Sequence, residues 1–369
     1  MKILRAERLA CLLTILLLLQ CSNKETPEKH TIITTKKAKK DYVKVISPAP
    51  NQSVVMNDFL DIKLTSEASI LFDSAFCIVN NQKLSLQTNH TNSVSDQVKI
   101  PFKTTGKNTI KFISYIGDSI IETDYTEVMI LSDIVPKPMT YKILNIYKHK
   151  TDAYTQGLAI ENGLIYEGTG SWGMSRLMKY KPENSDQILN EVYISSNIFG
   201  EGIEIFDDKI VQITYHAQKG FIYKKSDLKK IKEFDYPYIE GWGITYDGTY
   251  LIMSDGSHHI YFLDKNTLRE IKQIEVCDNI GIIDSINEME YVNGIIYANV
   301  YRQNFIITID PLSGKVLHKI DMSDMLEPDD FHSKIDVLNG IAYNEDSKTF
   351  FVTGKNWPKL FEVDFIESR

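Results

Sequence analysis

The chain has 369 residues, 43% of them hydrophobic and 24% charged, which is typical of a globular protein and leaves room for two domains. The net charge of −8 argues against a nucleic-acid partner, and no stripe of arginine and aromatic residues suggests one.

The first twenty residues have the pattern of a targeting segment. Lys2, Arg5 and Arg8 give a positive start, and residues 9–19 form an apolar run that is too short to span a membrane comfortably. Cys21 follows at once. We therefore predict a lipoprotein-type signal peptide over 1–20.

Lipidation of Cys21 would place the protein in the bacterial cell envelope, lipid-anchored to a membrane and facing the periplasm or the cell surface. Gln20 stands where a small residue is usual before the lipidated cysteine, so plain secretion and an uncleaved segment remain alternatives. Residues 21–41 are polar and predict a tether. Its lysines fit a solvated segment or one that contacts anionic headgroups.

Residues 42–134 predict a small domain of short strands. Apolar and polar residues alternate, as in Leu60, Ile62 and Leu64, and turn-forming pairs such as Asn80-Asn81 separate the runs. This pattern favours an immunoglobulin-like β-sandwich. Residues 135–139 then predict a stiff, proline-containing linker.

Two cysteines lie in the predicted folded regions. Cys77 and Cys277 are 200 residues apart, in separate predicted domains. A disulfide between them is one interpretation, and two small buried hydrophobic residues is the one we favour.

Residues 140–369 contain one five-residue motif five times, at spacings of 45, 41, 45 and 52 residues. Four copies have glycine second, and all have apolar residues third and fifth, the alternation of a half-buried strand. The copies are QGLAI at 156–160, EGIEI at 201–205, WGITY at 242–246, NEMEY at 287–291 and NGIAY at 339–343. A period of this length predicts a β-propeller.

The strand pattern within the repeats predicts five blades of four strands. The last repeat has only three strand-like runs, and an extra run at 141–147 can supply the fourth and close the ring. The fold class is therefore all-β: a five-bladed β-propeller preceded by a small immunoglobulin-like β-sandwich. An open β-solenoid and a second sandwich fit the unit length less well.

The first residue of each motif, which we call the leading residue, varies. In equivalent strands the five leading residues would converge at the mouth of a channel, and they are Gln156, Glu201, Trp242, Asn287 and Asn339. The following strand returns to the same end, so Tyr215, Tyr301 and Lys355 should rim that opening. A polar small-molecule site is built in this way, although packing alone also needs such repeats.

Other motifs are weaker. Residues 255–259, which include His258 and His259, fit a metal site or, as we favour, a turn with solvent-facing histidines. Residues 168–173 are glycine-rich but lack the lysine and helix of a phosphate loop.

Seven segments together resemble the plant-type glutaminyl-peptide cyclotransferases (glutamine cyclotransferase family). In order they are YTQGL at 154–158, FGEG at 199–202, EGWG at 240–243, MSDGS at 253–257, NEMEY at 287–291, YANV at 297–300 and VTGKNWPKLF at 352–361. The resemblance runs from about residue 143 to 365 and leaves the N-terminal β domain outside.

The resemblance implies a five-bladed propeller that converts an N-terminal glutamine of a peptide or protein to pyroglutamate and releases ammonia. It implies Glu201 as the proton-transferring acid and base. It implies polar substrate contacts from Gln156, Asn287 and Lys355. It also implies aromatic walls, which are Trp242, Phe199, Tyr154, Tyr215 and Tyr301.

Three of these aromatic residues depart from the family pattern. Tyr215 and Tyr301 stand where the family usually has Trp, and Tyr154 stands where Phe is usual, which changes the size and polarity of the walls. No cofactor is expected for catalysis. Some members hold a structural metal ion in the central channel, so a calcium or zinc ion there is an expectation.

Two alternatives come from other functional classes. One is a catalytically inactive propeller that binds peptide N-termini at the cell envelope. The other is a propeller lactonase or lyase, which would need a metal held by several side chains at the channel, whereas the leading residues include one carboxylate.

Overall fold

The computed structural model describes residues 41–67, 69–116 and 120–368. The predicted signal peptide, the lipidated Cys21 and nearly all of the tether lie outside these residues. Within the described ranges, none of the helical segments has the length and apolarity needed to cross a membrane.

The N-terminal region consists of eight strands in two sheets. The strands are β1 (Val43–Ser47), β2 (Gln52–Val55), β3 (Phe59–Ser66), β4 (Phe72–Val79), β5 (Gln82–Leu86), β6 (Ser93–Lys99), β7 (Gly106–Ile116) and β8 (Ile120–Leu131). One sheet has the order β1-β3-β6 and the other has the order β2-β8-β7-β4-β5. The alternating apolar residues, among them Ile62, Leu64 and Phe112, fill one core between the sheets.

Twenty further strands follow. They are β9 (Lys137–Lys148), β10 (Thr155–Glu161), β11 (Leu164–Thr169), β12 (Arg176–Lys181), β13 (Asn184–Tyr193), β14 (Gly200–Phe206), β15 (Lys209–Thr214), β16 (Lys219–Lys224), β17 (Lys230–Asp235), β18 (Ile244–Tyr246), β19 (Tyr250–Ser254), β20 (His259–Asp264), β21 (Glu270–Glu275), β22 (Ile286–Val292), β23 (Ile295–Val300), β24 (Phe305–Ile309), β25 (Val316–Asp321), β26 (Leu338–Asn344), β27 (Thr349–Gly354) and β28 (Lys359–Glu367). A short 3-10 helix, Pro328–Asp330, precedes β26.

These strands form three sheets of the predicted four strands and one larger sheet. Strands β10–β13, β14–β17 and β18–β21 each make a four-stranded sheet, and an eight-stranded sheet has the order β22-β23-β24-β25-β9-β28-β27-β26. The first strand of each repeat packs against the next, in the order β10, β14, β18, β22, β26 and back to β10. The five inner strands therefore form a closed ring.

Strand β9 pairs antiparallel with β28, as predicted for the run at 141–147. It also begins earlier than predicted. Residues 137–139, which we assigned to a linker, pair in parallel with 318–320 of β25. The segment predicted as a linker is therefore the start of a strand, because its backbone pairs with β25.

The second-position glycines permit the close approach of the inner strands. A Cβ at Gly157 would lie 2.3 Å from the backbone nitrogen of Ile203, and one at Gly243 would lie 2.1 Å from the carbonyl oxygen of Asn287. The motif is therefore a packing requirement of the ring. Cys77 and Cys277 are buried, free thiols, as we favoured.

Candidate active site

Four of the five leading residues leave the regular strand ladder at β-bulges. The pairing register shifts between Thr155 and Gly157, between Gly200 and Ile203, between Ile286 and Met289, and between Leu338 and Ile341. Each shift contains one leading residue. A bulge re-aims side chains, so the repeated sequence turns its variable residue toward one end of the ring.

A cavity of about 180 Å³ lies at this end. All nine predicted residues line it, together with one that we did not predict, and the lining is Tyr154, Gln156, Trp172, Phe199, Glu201, Tyr215, Trp242, Asn287, Tyr301 and Lys355. The structure thus brings the residues predicted from the sequence together in one cavity. Asn339, the fifth leading residue, lies behind the lining and supports it.

Glu201 is the carboxylate of this cavity, and it is 5% exposed. Burial raises the pKa of Glu201 well above its usual range, the ammonium of Lys355 partly lowers it, and the charge of Glu240 raises it. A carboxyl group whose pKa is raised in this way is a better proton acceptor than an exposed carboxylate, and it can return the proton as an acid.

Lys355 is the cavity's cation, and it is 4% exposed. Burial lowers the pKa of Lys355, while Glu201 and Asp336 act in the opposite direction. Its Nζ lies 4.9 Å from the ring centroid of Tyr154 and 5.1 Å from that of Tyr301. These cation–π contacts hold the ammonium at the pocket wall.

Two amide side chains complete the polar lining. Asn339 Nδ2 donates to Gln156 Oε1 at 3.3 Å and to the carbonyl oxygen of Thr155 at 3.0 Å, so the amide oxygen of Gln156 is already engaged. Asn287 Oδ1 is buried and has no hydrogen-bond partner among the described residues. The pair offers a donor from Gln156 and an acceptor from Asn287, which is the complement of a primary amide.

The apolar walls are aromatic rings in edge contact. Phe199 lies 6.3 Å from Tyr154, 5.5 Å from Trp172 and 6.0 Å from Tyr215, measured between ring centroids. Trp242 lies 5.4 Å from Tyr301 on the other side. Such walls bury the apolar part of a small ligand while the few polar groups orient it.

The sequence did not identify three residues of the site. Trp172 belongs to the glycine-rich run that we set aside, and its 60% exposure at the cavity mouth is unusual for tryptophan. Glu240 accepts from Trp242 Nε1 at 2.8 Å, and Asp336 accepts from the hydroxyl of Tyr154 at 2.8 Å. Glu240 lay inside a motif we had used, whereas Asp336 sits in the longest spacing between motifs, where periodicity says nothing.

A second cleft, of about 540 Å³, continues outward from the cavity. It shares Tyr154, Trp172 and Phe199 with the cavity, and its remaining lining residues are Thr151, Asp152, Thr169, Gly170, Ser171, Met174, Arg176, Lys334 and Asn356. This extra space suits a ligand that extends beyond the cavity.

Buried carboxyl groups face a different cavity, of about 280 Å³, lined by residues from the far ends of the inner strands. Burial raises the pKa of Glu204 to about 8, and burial together with the charge of Glu204 raises that of Glu290. Thr245 Oγ1 lies 3.0 Å from Glu204 Oε2 and 3.5 Å from Glu290 Oε2. These oxygen donors suit calcium better than zinc, so a hard cation fits the expected channel position.

Comparisons with known proteins identify the family of this chain. A family model described as glutamine cyclotransferase matches residues 120–365. A glutaminyl-peptide cyclotransferase of Arabidopsis thaliana is 34% identical over 221 residues, which cover 59% of this chain and 68% of that protein. The crystal structure of Myxococcus xanthus glutaminyl cyclase aligns with a TM-score of 0.57 and 30% identity, covering 63% of this chain and 100% of that one. The chain belongs to the glutamine cyclotransferase family.

Proposed function

We propose that this protein is a glutaminyl-peptide cyclotransferase, which converts the N-terminal glutamine of peptides or proteins to pyroglutamate and releases ammonia. The observation that carries the proposal is the buried carboxyl group of Glu201, set among amide, ammonium and aromatic groups in a cavity the size of one side chain. A binding protein without activity has no use for such an acid, so that alternative is not favoured.

The substrate supplies its own nucleophile. The α-amine attacks the γ-carboxamide carbon, a carbon–nitrogen bond closes the five-membered ring, and the bond to the amide nitrogen breaks. The enzyme must hold the glutaminyl chain curled, and the aromatic walls contribute that orientation. A neutral α-amine is accessible near neutral pH because its reference pKa is about 7.7–8.0.

Glu201 moves the proton. As the amine attacks, its proton passes to the Glu201 carboxylate, and the same proton then passes to the departing nitrogen, which leaves as ammonia. The raised pKa of Glu201 brings its affinity for a proton closer to that of the groups it serves. One carboxyl group therefore suffices as base and then as acid.

The amide pair and Lys355 orient and polarise the carboxamide. The Gln156 amino group donates to the substrate carbonyl, and Asn287 Oδ1 accepts from the substrate amide nitrogen. The ammonium of Lys355 stabilises negative charge that develops on the carbonyl oxygen during attack. These roles follow from the donor and acceptor left available in the cavity.

The adjoining cleft supports a peptide substrate. Residues after the glutamine would leave the cavity past Trp172 and lie in the cleft, where Arg176 and Lys334 provide positive charge beside Asp152. Free glutamine would leave this cleft unused.

The finer architecture belongs to the same proposal. Five inner strands in a closed ring, each starting a set of four strands, support a five-bladed β-propeller. Two sheets around one core before it support an immunoglobulin-like sandwich. The sequence of 1–41 supports lipid anchoring at Cys21, with the enzyme in the bacterial envelope facing the periplasm or the cell surface.

A channel cation is also part of the proposal. Glu204 and Glu290 would hold a calcium ion, with backbone oxygens completing its ligands, and the ion would strengthen the ring. It takes no part in the proton transfer, and no cofactor is required for cyclisation.

The test is product formation by the full chain on a short peptide that begins with glutamine. We expect ammonia release and a matching loss of one ammonia from the peptide mass. The matched control is the same peptide with an acetylated N-terminus, which lacks the nucleophile and should be unchanged. A folded protein that binds the first peptide without releasing ammonia would overturn the proposal and revive the inactive binding protein.

A further inference from the structure

Three metal-ligating side chains converge outside the active site. His258 Nε2 lies 3.4 Å from Glu275 Oε2, and His259 Nε2 lies 3.9 Å from Glu275 Oε1. The three are the described residues whose histidine and carboxyl donor atoms lie together as a metal would require, within 4.8 Å of one another. We propose that His258, His259 and Glu275 bind a zinc ion.

The prediction of solvent-facing histidines was wrong at this point. The side chains of His258 and His259 are 20% and 27% exposed, and that of Glu275 is 12% exposed. The turn before β20 places the two rings side by side, 4.2 Å apart between centroids, over the end of β21. This leaves an opening for the ion while removing most of each ligand from water.

Hydrogen bonding fixes the tautomer of His259. The Ser257 hydroxyl donates its hydrogen to Asp255 Oδ1 at 2.6 Å. Its oxygen is therefore an acceptor toward His259 Nδ1, which is 3.0 Å away, and it also accepts from the His259 backbone nitrogen at 3.1 Å. The ring proton therefore sits on Nδ1, and the lone pair of Nε2 faces Glu275. Orientation of a histidine ligand through its other nitrogen is the usual arrangement at metal sites.

His258 has a comparable neighbour. Its Nδ1 lies 4.0 Å from Asp284 Oδ1, so a carboxylate stands on the side of the ring away from Glu275. Two imidazole nitrogens and one carboxylate oxygen are a common set of zinc ligands, with water in the fourth position.

Glu275 also lies where the N-terminal region contacts β21, the last strand of the β18–β21 sheet. The backbone nitrogen of Lys107 donates to Glu275 Oε2 at 3.0 Å, and Thr105 Oγ1 donates to the Glu275 carbonyl oxygen at 2.6 Å. A zinc ion on Glu275 would fix the side chain that receives β7. The ion would therefore lie where the two regions of the chain meet.

The experiment measures zinc binding to the full chain after chelator treatment, by calorimetric titration with zinc chloride. Excess calcium is present throughout, because it occupies any oxygen-ligand site in the channel. We expect one zinc ion per chain and a rise in melting temperature. His258→Ala and His259→Ala should each abolish both effects and leave cyclisation unchanged. His90→Ala is the matched control. His90 Nδ1 also faces a carboxylate, Asp73 Oδ1 at 3.6 Å, but the part of the chain that the structure describes places no third metal-ligating group beside them.

Ser257→Ala keeps all three ligands and removes only the hydrogen bond that orients His259. It should weaken zinc binding about tenfold or more. Circular dichroism establishes that each variant is folded. Absence of zinc binding by the wild-type chain, or zinc binding that survives both histidine substitutions, would overturn the proposal and leave only histidine–glutamate ion pairs.

Discussion

Glu288 replaces the second-position glycine in the fourth repeat, and its substitution by alanine is an informative test of the ring. Its side chain is 1% exposed. Glu288 Oε1 accepts from the backbone nitrogen of Leu158 at 3.2 Å, and Oε2 accepts from that of Ile341 at 2.7 Å. One side chain on β22 thus satisfies buried amides on two other inner strands.

Glu288→Ala leaves those two amides without partners. Each buried, unsatisfied donor costs about 1–3 kcal/mol, so the loss is about 2–6 kcal/mol of unfolding free energy. Glu288→Gln retains one acceptor oxygen, so its unfolding free energy should fall by about half as much as that of Glu288→Ala.

The loss should depend on pH. Burial raises the pKa of Glu288 well above its usual value. A raised folded-state pKa means that the stabilisation by Glu288 is fully present below the unfolded pKa of about 4.5 and declines as pH rises toward the folded value. Glu288→Ala should therefore lower the unfolding free energy more at pH 5 than at pH 8.

Urea unfolding of the full chain at pH 5 and pH 8 measures this difference. Glu345→Ala is the control, because Glu345 is exposed and forms an ion pair with Lys348 on the surface. This control substitution should change the unfolding free energy by less than about 0.5 kcal/mol. A loss below about 1 kcal/mol for Glu288→Ala at pH 5, or a larger loss at pH 8, would refute the reasoning.

Three further predictions concern the cavity and the channel. Lys355→Met removes the cation that lowers the pKa of Glu201. The acidic limb of the pH profile of kcat/KM should therefore move up by about one to two pH units. An unmoved limb would contradict the electrostatic interaction between Lys355 and Glu201. Trp172→Ala should raise KM about tenfold for glutaminyl peptides. It should change KM little for glutaminamide, which does not reach the cleft. Equal effects on both substrates would contradict a role of Trp172 in binding the rest of the peptide. Glu204→Gln should raise stability at pH 9 in the presence of chelator, because wild-type Glu204 loses stabilisation as pH rises from about 4.5 through its raised pKa of about 8. A lower urea midpoint than wild type at pH 9 would contradict this effect of the raised pKa of Glu204.

The sequence predicted the ring and the site because both depend on local, repeated features. Inner strands approach each other closely, so glycine recurs at their contacts, as at Gly157 and Gly243. At Gly157 the preceding residue, Gln156, lies in a β-bulge outside the regular pairing. The spacing of Tyr215 and Lys355 from their motifs follows from one strand, one turn and one returning strand. Periodicity therefore brought these residues to one cavity.

Contacts outside the repeat were not predictable in this way. Asp336, which holds Tyr154, lies in an irregular insertion. Glu288 is the one second-position residue that is not glycine, and the motif does not reveal that its carboxyl group accepts from backbone nitrogens on two other strands. The approach of Glu275 to His258 depends on the pairing register of β20 with β21, which places His259 opposite Glu275, and the pattern of a single strand does not record that register.

The most direct test of the account compares Glu201→Gln with Glu204→Gln in ammonia release from a glutaminyl peptide under saturating substrate. Both residues are buried carboxyl groups on β14, three positions apart, and only Glu201 lines the active-site cavity. The account predicts that Glu201→Gln lowers kcat by about 10²–10⁴-fold while Glu204→Gln stays close to wild type. A folded Glu201→Gln variant that keeps near-normal turnover, or an equal loss in both variants, would contradict the role of Glu201 in proton transfer.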